Sequence, residues 1–125
     1  MNPRTPAEVI ERFSERMSAG DLEGALDLYE PDAAFVAAPG QQVHGRDAIA
    51  EALERFLAMR PRLEGRVRKV VESGDTALVI NDWRLEGRDP SGGAVEMSGR
   101  SADVVQRAAD GSWRVLIDDP WGGAD

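Results

Sequence analysis

At 125 residues the chain is sized for one domain around one core, and its 42% hydrophobic and 30% charged residues are those of an ordinary globular protein. The 23 acidic residues outnumber 15 basic ones for a net charge of −8, which argues against nucleic acid, since phosphate binding needs clustered Lys and Arg. With no cysteine there is no disulfide or thiolate chemistry, and with no long apolar run or signal-like N-terminus the expected compartment is the cytoplasm, away from any membrane.

Thr5-Pro6-Ala7-Glu8 has the form of a helix start, a hydroxyl cap followed by proline and then glutamate. Val9, Ile10, Phe13 and Met17 recur behind it at helical spacing, and Gly20 ends the pattern. Asp21 caps a second predicted helix whose stripe is Leu22, Ala25, Leu26 and Tyr29, stopped by Pro31. The run 33–38 suits a buried strand, and Pro39 to Gly45 reads as a polar loop. Asp47 opens a third predicted helix, with Ile49, Leu53, Phe56 and Leu57 facing inward, and Pro61 limits it.

From there the apolar period shortens from about 3.6 to about 2, the change from helix to strand. Four strands are predicted, over 67–72, 76–86, 94–107 and 112–118, with hairpin loops at Ser73-Gly74-Asp75, 89–93 and Ala109-Asp110-Gly111. Arg60, Arg62, Arg66, Arg68 and Lys69 are the nearest approach to a basic cluster; diluted by Glu64, they read as a solvated strand edge. Three N-terminal helices on one face of a curved antiparallel sheet make an α+β domain spanning 1–125, with only the extreme termini, Gly122-Gly123-Ala124-Asp125 at one end, expected to be loose.

The stretches Gly20 to Tyr29, Asp32-Ala33-Ala34-Phe35, His44 to Ile49 and Asp110 to Val115 resemble the nuclear-transport-factor-2-like (NTF2-like) superfamily, also called SnoaL-like or ketosteroid-isomerase-like. The resemblance covers nearly the whole chain and looks most like the small stand-alone bacterial members. It implies a cone-shaped fold with a pocket. It does not imply one activity, because that fold hosts isomerases, dehydratases, cyclases, epoxide hydrolases and non-catalytic modules.

Ketosteroid isomerases use a carboxylate base with an oxyanion hole of one tyrosine and one neutral aspartic acid. Here the tyrosine position, seven residues before Gly20, is Phe13, and the base position before Pro39 is Ala38. Asp103 alone survives, so that chemistry is argued against. Limonene-epoxide-hydrolase-like members use an Asp–Arg–Asp set to activate water. Asp118 falls at the last-strand position of that set, and Asp82 and Arg84 are two apart on one strand, in the reverse of the family order.

The expected catalytic set is therefore Asp82, Arg84 and Asp118, on a concave face with Leu78, Ile80, Gly99, Ser101 and Asp103. A structural ion-pair network is the alternative for the same residues. Tyr29, Asp103, Trp121 and His44 are candidate ligand-binding groups, with Trp121 either a lid over the cone or a cap on the core. His44 is the only histidine, which excludes a multi-histidine metal site, and no metal or cofactor is expected. Trp83 and Trp113 are expected on the opposite, convex face with Val79, Val115 and Ile117, an apolar surface suited to a symmetric homodimer.

The favoured function is binding of a small molecule in an apolar pocket carrying Asp and Arg groups. The alternatives are a cofactor-independent enzyme (isomerase, cyclase or epoxide-hydrolase-like) and a dimerisation module without a ligand.

Overall fold

The structure, a computed structural model, describes residues 2–122. The expectation of a loose tail falls partly on 123–125, outside the described residues. Helix α1, Pro6–Ser18, begins as its cap requires: the Thr5 hydroxyl accepts the Glu8 N–H at 3.2 Å. Its apolar stripe buries Val9, Ile10 and Met17. Gly20, at φ +75°, turns the chain in a conformation that disfavours any side chain, and Asp21 caps α2, Leu22–Leu26, by accepting the Gly24 N–H.

The second helix is shorter than its stripe suggests. Tyr29 does not end it but opens strand β1, Tyr29–Ala38. Gly24 weakens the helix from within, and Tyr29 gains more by pairing with Val115 and burying its ring completely. Pro31 sits inside this strand, where the ladder to the last strand is interrupted between Tyr29 and Ala34. The expected loop before the third helix also contains a strand, β2, Gln41–His44, hairpinned onto β1.

Helix α3, Arg46–Leu57, follows, and the Arg46 guanidinium donates to the Tyr29 carbonyl. Then come β3, Arg62–Ser73, β4, Thr76–Arg88, β5, Ala94–Arg107, and β6, Trp113–Asp119. The sheet order is β2-β1-β6-β5-β4-β3. The expected antiparallel meander is present as β3 to β6, but β1 runs parallel to β6, so the whole sheet is mixed. Helix α1 lies over β3, β4 and β6, while α3 lies over β1 and β2, and the core fills the space between helices and sheet. Edge strand β3 carries exposed Arg62, Arg66, Arg68 and Lys69, charges that discourage pairing with another edge. Among the described residues no helix is long and apolar enough to cross a membrane.

The sheet faces are the reverse of the expected ones on β4. Ala77, Val79, Asn81 and Leu85 are buried under the helices, whereas Leu78, Ile80, Asp82 and Arg84 point outward. On β5 the buried set is Ser101, Asp103 and Val105. Trp113 and Val115 of β6 are core residues, not convex-face ones. Ile117 does face outward, 40% exposed, because the ladder shifts between Val104 and Val105 and places Leu116 as an extra residue. The outer face thus carries an in-register apolar row, Val71–Leu78–Val104–Ile117, across four strands.

Candidate functional site: a buried carboxyl pair beneath an apolar cavity

Strands β5 and β6 put Asp103 directly opposite Asp118, and both side chains turn inward. Tyr29, at the start of β1, donates its hydroxyl to Asp118 Oδ2 at 2.6 Å. The carboxyls of Asp103 and Asp118 are hydrogen-bonded to each other. Asp103 is held from behind, since Ser101 Oγ donates to its Oδ2 at 3.0 Å and the Asp119 N–H donates to its Oδ1 at 3.2 Å. A chain of hydrogen bonds therefore runs Tyr29–Asp118–Asp103–Ser101, fully inside the protein.

Burial dominates the electrostatics. Desolvation, then the charge of Asp118, pushes Asp103 well above the usual carboxylate range. Desolvation also raises Asp118, against the bonds from Asp103 and Tyr29 that favour its ionised form. The Tyr29 hydroxyl is raised too, first by burial and then by Asp118. These directions favour one proton shared by the pair, with Asp118 accepting from Tyr29 and Asp103 accepting from Ser101 and the Asp119 N–H. Asp119, next in the chain, adds a further negative charge nearby.

The pair forms part of the floor of a cavity of about 80 Å³ between helices and sheet. Its walls are mostly apolar, with Phe13 from α1, Phe35 from β1, Leu53 and Phe56 from α3, and Trp83 and Trp121 at one side. Among the described residues that line it there is no Lys, Arg or His. Phe13 also meets the Tyr29 ring edge-on at 6.0 Å, which holds the phenol in place.

The Trp83 indole donates to the Pro120 carbonyl at 2.7 Å and meets Trp121 edge-on at 5.2 Å. Gly99 makes this possible: a Cβ there would lie 2.9 Å from the Trp83 ring. Among the described residues, two polar atoms of the lining are buried without a partner, Asn81 Oδ1 and Trp121 Nε1.

Of the expected site residues, the structure brings together Asp103, Asp118 and Tyr29, with Trp121 at the cavity wall. Asp82 and Arg84 are not part of this group. Asp82 is on the outer face, bonded to Arg100 at 2.7 Å and near Arg68 at 3.5 Å, and Arg84 pairs there with Glu96 and Glu86. Their separation from Asp118 follows from the phase of β4, and the expected Asp–Arg–Asp convergence is corrected accordingly. His44 is exposed on β2, its Nε2 2.9 Å from Gln42 Nε2, and does not line the cavity.

Asn81 and Ser14 are cavity residues that the sequence reading does not single out. The signal for Asn81 is a lone amide in the buried phase of β4, between Val79 and Leu85. The signal for the phase itself is Arg100, which lies opposite Asp82 in register and so puts both charges on the same, solvent-facing side.

A sequence model of the SnoaL-like domain matches residues 10–116. No curated protein matches the chain. Among solved structures, an NTF2-like superfamily protein from Salmonella enterica is similar at 20% identity and TM-score 0.81, over 94% of this chain and 88% of that one. A ketosteroid isomerase-like protein from Erwinia carotovora is similar at 17% identity and TM-score 0.78, over 90% and 88%. A protein from Xanthomonas campestris described as a putative calcium/calmodulin dependent protein kinase II association domain is similar at 20% identity and TM-score 0.76, over 90% and 81%. At these identities the likeness is one of fold.

Proposed function

The chain belongs to the SnoaL-like domain family, and on that premise we propose that it binds a small organic molecule in the cavity over Asp103 and Asp118. The observation that carries this reading is the buried carboxyl pair itself, which opens onto walls that are otherwise almost wholly apolar. Two acids with no basic residue beside them cost stability, and a core that needed only packing would hold aliphatic side chains there. Concave, mostly apolar pockets with a few convergent polar groups are the usual form of ligand sites.

The test is a thermal-shift screen of small apolar compounds bearing one polar group. A ligand at 100 times its Kd stabilises by about 2.7 kcal/mol, a shift easily read for a domain of this size. Ser14→Phe adds a ring at a half-exposed position of the wall and should abolish each genuine hit. Hits that survive it bind elsewhere and count against the cavity.

A second reading is acid–base catalysis on the bound molecule. It is favoured by the geometry at Asp118, whose carboxyl accepts from Tyr29, shares a proton with Asp103 and is placed to exchange it. Conversion of a bound compound that stops in Asp118→Asn, with binding retained, is the expected result under this reading.

The outer sheet face supports a symmetric homodimer. Val71, Leu78 and Ile117 of the in-register row are 47%, 39% and 40% exposed, more than isolated surface residues would explain. Beside the row, charges of both signs (Arg68, Asp82 and Arg100) suit a self-complementary contact. Sedimentation should give a dimer for the natural chain and a folded monomer for Leu78→Asp. A monomeric natural chain at high micromolar concentration would dismiss the dimer.

A further inference from the structure

We propose that the molecule this cavity takes is an organic cation, a compact apolar amine bound as its ammonium form with the charged nitrogen against Asp118 and Asn81. The inference rests on the small-molecule reading above and narrows it to one chemical class.

The first argument is charge. The lining carries two carboxyls and no basic residue among those described, so an anionic ligand meets repulsion and an uncompensated loss of water. A cation supplies the counter-charge that the protein itself leaves out. The −8 net charge of the chain also draws cations toward it from solution.

The second argument is the balance of donors and acceptors. Asn81 is 5% exposed, its Oδ1 has no partner, and it lines the same cavity as the carboxyl pair. Asp118 and Asp103 together offer four carboxyl oxygens, while the donors aimed at them are the proton they share, the Tyr29 hydroxyl, the Ser101 hydroxyl and the Asp119 N–H. The floor therefore has acceptors to spare. Ammonium and guanidinium groups bring several donors and no acceptor, and the ammonium is the compact one of the two. Trp121 Nε1, the unpartnered donor at the side wall, is left for an oxygen on the same molecule.

The third argument is the wall. Phe13, Phe35, Phe56, Trp83 and Trp121 present rings around a carboxylate floor. Aromatic faces attract ammonium groups, most strongly where water is excluded. Size sets the rest: about 80 Å³ is less than the roughly 150 Å³ cavity that admits benzene, so the body is a small ring or branched chain unless Trp121 swings aside.

No proton needs to be created for this binding. The ammonium arrives charged and pairs with the single negative charge of the dyad, whose shared proton stays between Asp103 and Asp118.

The experiment compares three small probes of one shape: isopropylamine, isopropanol and isobutyrate. Each is titrated into the full chain at 150 mM salt, with tryptophan fluorescence and ligand-observed NMR as readouts. The expected result is saturable binding of the amine, at least tenfold tighter than the alcohol, with none of the carboxylate. Asp118→Asn should shrink the amine-to-alcohol ratio to threefold or less. Asn81→Leu should weaken the amine about five- to tenfold. Should Asp118→Asn not fold, the wild-type ratio and Asn81→Leu decide. An alcohol that binds as tightly as the amine overturns the cation assignment and leaves the small-molecule reading standing. Amine binding unchanged in both variants assigns it to the acidic surface and likewise overturns the proposal. Saturable binding by none of the three overturns both.

Discussion

Truncating Trp113 to alanine is expected to cost about 3–5 kcal/mol, which is a large part of the 5–15 kcal/mol that holds a domain of this kind folded. Trp113 opens β6 and is 2% exposed. Its backbone N–H donates to the Pro3 carbonyl at 3.0 Å, and the Arg107 guanidinium lies 5.5 Å from the ring centroid. Removing the indole leaves a void that the packed helix and sheet layers do not close, so the cavity penalty adds to the lost burial. Phe13→Ala makes the comparison. Phe13 is half-buried and already faces empty space on one side, so its loss should cost only about 1–2 kcal/mol of apolar burial. Urea unfolding of the two variants checks the order through the shift in midpoint at unchanged slope. A larger loss for Phe13 would mean that the packing centre lies under α1 and not at β6.

The second large effect concerns pH. Asp103 and Asp118 have folded-state values raised above the ordinary 3.8, so between that value and the folded ones the native protein keeps protons that the unfolded chain has released. Stability must then fall as pH rises through that window. The groups facing the pair are Tyr29 from β1, Ser101 from β5 and Asp119 from β6, with no base from α1, α3 or β4 to offset the trend. Asp103→Asn removes one titration while keeping the shape. Its amide can accept from Asp119, donate to Asp118, and release the Ser101 hydroxyl to the Asn81 carbonyl, 3.3 Å away. The variant is expected to gain about 1–3 kcal/mol near pH 8, the scale of a poorly compensated buried polar group. Near pH 4 the gain should vanish. Melting temperatures across that range read both arms; a parallel pair of curves would show that the dyad does not titrate where its burial places it.

Much of the architecture is legible in the chain because local signals and global fold agree. The Thr5 cap, the α1 stripe and the bounds of β5 are examples. The misreadings have one physical source, which is that alternation fixes a strand's period but not its sense. Both faces of β4 carry apolar residues, Val79 and Leu85 inward but Leu78 and Ile80 outward, so the pattern alone fits either phase. Choosing the wrong one moves Asp82 and Arg84 into the cavity and Asn81 out of it. On β6 the extra residue at Leu116 puts Val115 and Ile117 on opposite faces despite their even spacing. Tyr29 shows a different failure. Its place on a helical stripe is real, but the strand partner that claims it lies 86 positions away, at Val115.

The sheet order has a consequence for how the protein is born. Strand β6, translated last of the six, is not an edge: it is inserted between β1 and β5. While a ribosome is still adding residues before 113, the first strand has no neighbour on that side and the fifth has an open flank. Neither Asp103 nor Tyr29 then has Asp118 to meet. The nascent chain must therefore wait, with two strand edges unpaired and the helices laid over a gap, until the closing strand clears the exit tunnel. Long-range pairing of this kind folds slowly and exposes sticky intermediates. Stalling of synthesis just short of Trp113 should accordingly leave a protease-sensitive, chaperone-dependent chain, and only extrusion of residues 113–119 from the tunnel should complete the sheet.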